Sequence, residues 1–374
     1  MSDITSHAQL APAVSQLPVS WYFDEKIFEL EKRLLFDAGP GYVGHALMVP
    51  EVNQYRSLEW LDHAQMLVQR DDGFYRMSNI CRHRQAIMME GSGTAERNIV
   101  CPIHRWTYNP DGLLIGAPHF QNNPCLNLDR HRLENWHGLL FKGPRSANVD
   151  LGGMNVAQDL DFSGYKLDRV EIHECNYNWK TFIEVYLEDY HVEPYHPGLG
   201  QFVTCDDLTW QFGEWYSVQR VGITSLKKPG SMTYERWHQA VLTYYNGELP
   251  RHGAIWLTYF PNIMVEWYPH VLVVSTLIPT DVHKTTNVVE FYYPEEILEF
   301  ERDFVEAERM SPEYQRLIGS LPSLALIAVR PEEASTRTLG DAMIQMFSYG
   351  FFPGRTIDRL LDGPEQMLWV EPWV

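Results

Sequence analysis

Two short segments each carry a cysteine and a histidine: Cys81-Arg-His83 and, after seventeen intervening residues, Cys101-Pro-Ile-His104. Two thiolates and two imidazoles can close a tetrahedral zinc site. Divided by type, they can also hold a two-iron two-sulfur cluster, with cysteine on one iron and histidine on the other. Zinc fingers typically pair Cys with Cys and His with His along the chain, because one hairpin supplies the thiols and one helix the imidazoles. Here each pair is mixed. Two mixed loops facing one another can give each iron one ligand type, and the turn backbone can hydrogen-bond the sulfides and tune their potential.

A second constellation is NWKTFIEVYLEDYHVEPYHPG at 178–198. On a helix Glu184, Glu188 and His191 stand at i, i+4 and i+7 and share one face. Pro194 ends the helix, and past that break the imidazole of His196 can swing back toward the same point in space. Two neutral imidazoles beside carboxylates suit a divalent transition metal. Two His and one carboxylate on one face of iron(II) leave the opposite positions open for dioxygen and water. Taken alone, an H-x4-H spacing is more often a pair of hydrogen-bonded core histidines.

The elements that must position these residues follow from periodicity. Residues 22–36 place Phe23, Ile27, Leu30 and Leu34 at steps of three and four, which predicts an amphipathic helix. From Gly39 to about Gly143 short apolar stretches are broken by Gly, Pro, Asn and Asp, as in a small antiparallel β unit, with turns at the DDG of 71–73 and the PDG of 110–112. A connection at 143–155 leads to a helix over 177–193. GAIWLTYF, IMVEWYP, VLVVSTLIP and TTNVVEFYY within 253–293 predict a long antiparallel sheet. PEEILEFERDFVEAERM at 294–310 predicts a helix opened by Pro294.

Composition narrows the class. The 374 residues carry 30 Lys plus Arg against 49 Asp plus Glu, a formal charge of −19, which argues against a nucleic-acid or anionic-membrane surface. No apolar run is long enough to span a membrane, and the first twenty residues lack the features of a signal or transit peptide. Five cysteines, at 81, 101, 125, 175 and 205, suit a reducing compartment, so the chain is expected to be cytoplasmic. Cys125, Cys175 and Cys205 have no His at ligand spacing and read as small buried hydrophobes.

The two motifs, in this order, resemble those of the Rieske non-haem iron oxygenases. CRHR is followed by CPIHRWTYNPDG, with Trp106 and Tyr108 just after the second His; an acid then precedes His191 by three positions and His196 follows it by five. The resemblance covers roughly residues 20–310. It is closest in character to the aromatic-ring-hydroxylating oxygenase α-subunits, including the branch similar to choline and carnitine monooxygenases. It implies a [2Fe-2S] Rieske cluster with Cys81 and Cys101 on one iron and His83 and His104 on the other, and a mononuclear Fe(II) held by His191 and His196. Glu188 resembles the bridging acid that links a ligand His to a Rieske His of the neighbouring subunit, which implies a homotrimer. The implied fold is α+β: an antiparallel β Rieske domain, 39–145, inserted in a helix-grip-like catalytic domain with a central antiparallel sheet, 1–38 plus 146–374.

The same resemblance implies a terminal oxygenase, mono- or dioxygenase, that takes NAD(P)H-derived electrons from a partner reductase, directly or through a ferredoxin. The chain itself has no GxGxxG after a strand and no flavin motif. Its substrate would be an aromatic ring or a quaternary amine. Trp210, Trp215, Tyr216, Trp256, Tyr259, Trp267 and Tyr268 fall where the active-site wall is expected, chiefly as packing residues but able to form an apolar slot or a cation-π cage. The family's third iron ligand is a carboxylate from a helix beyond the long sheet. The stretch MSPEYQRLIGSLPSLALIAV offers only Glu313 there. Asp341 is taken as the first candidate, with Asp303 and Glu306 behind it. Without such a carboxylate the chain would be a Rieske-type electron carrier or an inactive oxygenase relative.

Overall fold

A computed structural model describes residues 17–95, 97–160, 162–187, 203–223, 239–248, 250–295 and 297. The first half is built of short strands: β1 Tyr42–His45, β2 Gln54–Ser57, β3 Gln65–Arg70, β4 Gly73–Ser78, β5 Ser92–Thr94, β6 Ile99–Val100, β7 Thr107–Tyr108, β8 Leu114–Gly116, β9 Arg130–Arg132, β10 Glu134–Trp136 and β11 Leu139–Phe141. They form sheets ordered β5-β2-β3-β4-β9, β6-β7-β8 and β1-β11-β10, with every pair antiparallel. Both expected turns are present. Gly73 at φ 136° receives the chain after Asp71 and Asp72 in the β3–β4 hairpin, and Gly112 at φ 83° closes the 109–112 turn.

The second half carries one seven-stranded antiparallel sheet. Its strands are β12 Tyr165–Cys175, β13 Val203–Phe212, β14 Tyr216–Ile223, β15 Ala254–Tyr259, β16 Ile263–Tyr268, β17 Val271–Asp281 and β18 Lys284–Pro294, in the order β12-β18-β17-β16-β15-β14-β13. The four apolar runs within 253–293 are its β15 to β18. The strands β12 to β14 were not anticipated; β12, YKLDRVEIHEC, is charged and only half-buried along most of its length, so its pattern carries little strand signal. Pro294 is the last residue of β18, paired with Tyr165, and the helix predicted from this point starts directly after it, at Glu295. Of the predicted 294–310 helix Pro294, Glu295 and Ile297 lie within the described residues, the last two of them helical.

Because side chains alternate along a strand, the large sheet has two chemically distinct faces. Val218, Ile255, Leu257, Tyr259, Ile263, Val265, Trp267 and Val274 pack on Val43 and Leu139–Phe141 of the small β1-β11-β10 sheet in one core. The opposite face turns Met264 and Leu277 toward the helix α3, Trp179–Tyr186, where they pack with Trp179, Ile183 and Leu187. This second face also carries Gln219, Thr258 and Glu266.

The N-terminal helix is shorter than its periodicity suggests. Asp24 caps α1, Glu25–Glu31, by accepting from the Lys26 N–H at 2.8 Å, so Phe23 stays outside it. A π turn over Lys32–Phe36 follows. The buried stripe is Ile27, Phe28, Glu31 and Leu35 instead of Phe23, Ile27, Leu30 and Leu34. The face is rotated because Glu31 is drawn inward by partners on α3. A short helix α2, Ala147–Asp150, capped by Ser146, interrupts the 143–155 connection.

Candidate metal centres and active site

Cys81 and Cys101 each open a tight loop, one after β4 and the other after β6, and the two loops are built alike. The Cys81 N–H donates to the Ala86 carbonyl at 2.8 Å and the Gln85 N–H to the Cys81 carbonyl at 3.0 Å. In the second loop the Cys101 N–H donates to the Trp106 carbonyl at 2.8 Å and the Arg105 N–H to the Cys101 carbonyl at 3.1 Å. Gln85 and Arg105, at the same place in each, adopt φ 56° and 60°. Left-handed backbone at two non-glycine residues is a local cost held by the surrounding structure. Asn79, fully buried, ties the first loop: its amide donates to the carbonyls of His63 (2.8 Å) and Met89 (2.6 Å) and accepts from the Met89 N–H at 2.9 Å.

The thiols point inward and the imidazoles outward. Cys81 and Cys101 are buried in a core of Met66, Val68, Met77, Ile99, Trp106, Tyr108, Leu114 and Leu128. His104 is exposed, and its ring lies 4.7 Å from that of His83. His83 is stacked on Trp106 at 4.9 Å with 9° between the planes, which fixes its orientation. The Tyr108 hydroxyl accepts from the Arg82 N–H at 3.0 Å and lies 3.6 Å from Cys81 Sγ. Burial raises the affinity of the Cys81 thiol for its proton.

These residues fit a two-iron cluster better than one ion. His83 Nδ1 is buried with no hydrogen-bond partner among the described residues, a nitrogen that a metal would satisfy. Two buried thiols and two imidazoles, divided by type, are the donor set that would hold a bridged pair of irons.

α3 opens the segment in which the second centre is expected. Asn178 caps this helix, accepting from the Lys180 N–H at 3.1 Å and donating to the carbonyls of Tyr22 (3.2 Å) and Val282 (2.9 Å). Trp179, Ile183 and Leu187 form its apolar stripe at i, i+4 and i+8. Glu184, expected beside Glu188 and His191 on a metal-facing side, is instead buried, and its carboxylate accepts from the Tyr22 hydroxyl. Burial pushes the Glu184 carboxyl up to about 7. Lys180 and Trp179 reach the other way, to Glu31 of α1, at 2.7 and 2.9 Å. The described helix ends two positions short of Glu188. Glu188, His191, His196, Asp303, Glu306, Glu313 and Asp341 all lie outside the described residues.

Among the aromatic residues, Tyr216, Tyr259 and Trp267 belong to the core between sheets, and Trp215 stacks under the Arg145 guanidinium at 3.5 Å. Trp256 and Tyr268 instead lie on the face toward α3. Their cross-strand neighbour Glu266 was not singled out from the sequence, although an acid inside the apolar run IMVEWYP is the signal that could have found it. Cys125 is exposed in a polar turn, where its N–H donates to Asn123 at 2.8 Å, and Cys175 is half-buried; neither is the core residue expected. The side chain of Cys205 lies outside those described.

Comparison with known proteins places both regions. Residues 41–132 match the Rieske [2Fe-2S] domain, and residues 162–318 match the ring hydroxylating alpha subunit (catalytic domain). A putrescine 2-hydroxylase of Ralstonia nicotianae is 63% identical over 310 residues, covering 83% of this chain and 85% of that protein. A putrescine 2-hydroxylase of Bordetella bronchiseptica is 54% identical over 324 residues, 83% of this chain and 75% of that protein. Among solved structures, a quaternary ammonium Rieske monooxygenase superposes with a TM-score of 0.66 at 20% identity, over 88% of this chain and 93% of that one.

Proposed function

The chain belongs to the Rieske ring-hydroxylating oxygenases, and from that membership we propose that it hydroxylates a small aliphatic diamine of the putrescine type at a carbon next to an amine-bearing one. The observation that carries this substrate is the 63% identity to a putrescine 2-hydroxylase over 83% of the chain. It narrows the range open from the sequence, an aromatic ring or a quaternary amine, toward a cationic amine.

As a terminal oxygenase of this family the protein works with a separate reductase and uses dioxygen. The [2Fe-2S] cluster supplies electrons singly and the mononuclear iron supplies activation of dioxygen. One oxygen atom enters a substrate C–H bond; the other leaves as water with two electrons and two protons. On this reading Cys81 and Cys101 would hold one iron of the cluster and His83 and His104 the other. His191 and His196 hold the mononuclear iron, with the third ligand among Asp303, Glu306 and Asp341; the first two fall within the catalytic-domain match and Asp341 beyond it. Glu188 bridges the centres between subunits of a homotrimer. The division into a Rieske domain, 39–145, and a catalytic domain, 1–38 plus 146–374, belongs to the same proposal, as does a cytoplasmic location. No described helix is long and apolar enough to cross a membrane.

What the described residues contribute is placement. The matched loops hold two thiols in an apolar core and two imidazoles at the surface, where a partner surface can approach. α3, held by Glu31 through Lys180 in its first turn and by Tyr22 through Glu184 in its last, leads into the segment that carries His191 and His196. The test is turnover of the holoprotein with a reductase, NADH and putrescine, analysed by mass spectrometry. A product heavier than putrescine by one oxygen, with the label of 18O2, is expected. Turnover of choline, carnitine or an aromatic acid with none of putrescine would refute the diamine.

A further inference from the structure

We propose that Glu266 is the ammonium anchor of the substrate site, holding one amine of the substrate on the α3 face of the sheet beside the rings of Trp256, Tyr268 and Tyr186. The proposal rests on the reading of the substrate as a diamine and assigns the residue that would recognise it.

Glu266 stands in a cross-strand row. Gln219 of β14 pairs with Trp256 of β15, Trp256 with Glu266 of β16, and Glu266 with Val273 of β17, so all four side chains leave the same face of the sheet. Met264, two residues before Glu266, packs on Trp179 and Ile183, which identifies that face as the one under α3. The Tyr268 hydroxyl donates to Glu266 Oε2 at 2.8 Å and accepts from Trp256 Nε1 at 3.1 Å. That relay fixes one carboxylate oxygen, and no hydrogen bond from the described residues reaches the other. None of the described Lys, Arg or His residues forms an ion pair with Glu266.

The surroundings are polar and unsatisfied. Gln219 is 1% exposed, yet neither its amide oxygen nor its amide nitrogen has a partner; the same holds for the buried Thr258 hydroxyl on that face and for the Tyr186 hydroxyl on α3, among the described residues. Orphaned donors and acceptors on the face that carries Glu266 point to a molecule that meets them. Glu266, Tyr268 and Tyr186 are each half-buried, and burial raises the proton affinity of all three. An isolated carboxylate in such a place is costly, and an ammonium with aromatic faces beside it removes the cost. The other buried acids are already engaged. Glu184 has Tyr22, Glu31 has Lys180 and Trp179, and Glu290 lies on the opposite face between Tyr42 and Tyr292.

The test uses holoprotein with both metal centres intact, titrated anaerobically with putrescine and assayed for turnover. E266Q is expected to raise the Kd for putrescine about 100-fold, as when one partner of a buried charge pair is removed, with the cluster spectrum and iron content unchanged. E266D withdraws the charge by one methylene, and is expected to shift preference from putrescine toward the longer diamine cadaverine. An E266Q protein that binds putrescine within about threefold of wild type overturns the anchor. If E266Q fails to fold, E266D decides: an unchanged order of preference overturns the proposal. The substrate reading fails separately. Wild type that ignores putrescine but binds spermidine, choline or carnitine, with binding lost in E266Q, keeps the anchor and discards the diamine. Wild type that binds none of these cations overturns the anchor.

Discussion

Lys180 Nζ lies 2.7 Å from Glu31 Oε1, and with the two side chains 4% and 3% exposed this is a buried ion pair. It joins α1 to α3, so the helix that leads to the proposed iron ligands is held by a residue nearly 150 positions away. Trp179 Nε1 donates to the second oxygen of the same carboxylate at 2.9 Å, which leaves Glu31 well satisfied.

Breaking this pair from one side strands a charge in the core. Glu31→Ala or Lys180→Met is expected to destabilise the protein by about 3 to 5 kcal/mol, read from denaturant unfolding. The double replacement Glu31→Met with Lys180→Met is expected to recover a large part of that loss, because no charge is then buried alone. Equal destabilisation by single and double variants would show that the pair is not coupled.

Two buried carboxyls set a dependence of stability on pH. Glu184 and Glu290 are each pushed from 4.5 to about 7 by burial, so the folded state binds their protons more tightly than the unfolded chain. Their contribution to stability is therefore full below the ordinary carboxylate range and declines as pH rises toward about 7. Glu184→Gln and Glu290→Gln, which keep an oxygen for Tyr22 and for Tyr42 and Tyr292, are expected to flatten the fall of the unfolding midpoint across about pH 5 to 8. A wild-type midpoint that rises over that interval, and is unaffected by both substitutions, contradicts the assignment.

The two metal centres are separable. Cys81→Ala or His104→Ala is expected to lose two irons, two sulfides and the visible spectrum of the cluster, with mononuclear iron still bound after reconstitution. His191→Ala is expected to do the reverse, abolishing mononuclear iron and oxygenation while the Rieske spectrum stays. Iron and sulfide analysis with EPR distinguishes these outcomes; product formation undiminished by His191→Ala would sink its role as a ligand.

Tyr108 tunes the cluster through one hydroxyl. Its oxygen lies 3.6 Å from Cys81 Sγ, and a donor there favours the reduced, more negative cluster. Tyr108→Phe is expected to lower the reduction potential without loss of iron, measured by spectroelectrochemical titration. A potential equal to that of wild type would mean that the hydroxyl directs its proton elsewhere.

The types and spacing of Cys81, His83, Cys101 and His104, and the long apolar strands after residue 253, were legible from sequence alone because ligand chemistry and side-chain alternation are local properties of a chain. The turns at Gly73 and Gly112 were legible for the same reason. What tertiary structure decided was the partner of each buried acid. Glu31 looked like one charge among several on an amphipathic helix, until Lys180 and Trp179 drew it inward and turned the buried stripe. Glu184 looked like a neighbour of the iron face, until Tyr22 claimed it. Glu266 was invisible as a site, because only the pairing of β14 to β17 sets it in a row with Gln219 and Trp256 beneath α3. A carboxylate's role depends on which cation, hydroxyl or solvent it meets, and those meetings are between residues far apart in the chain.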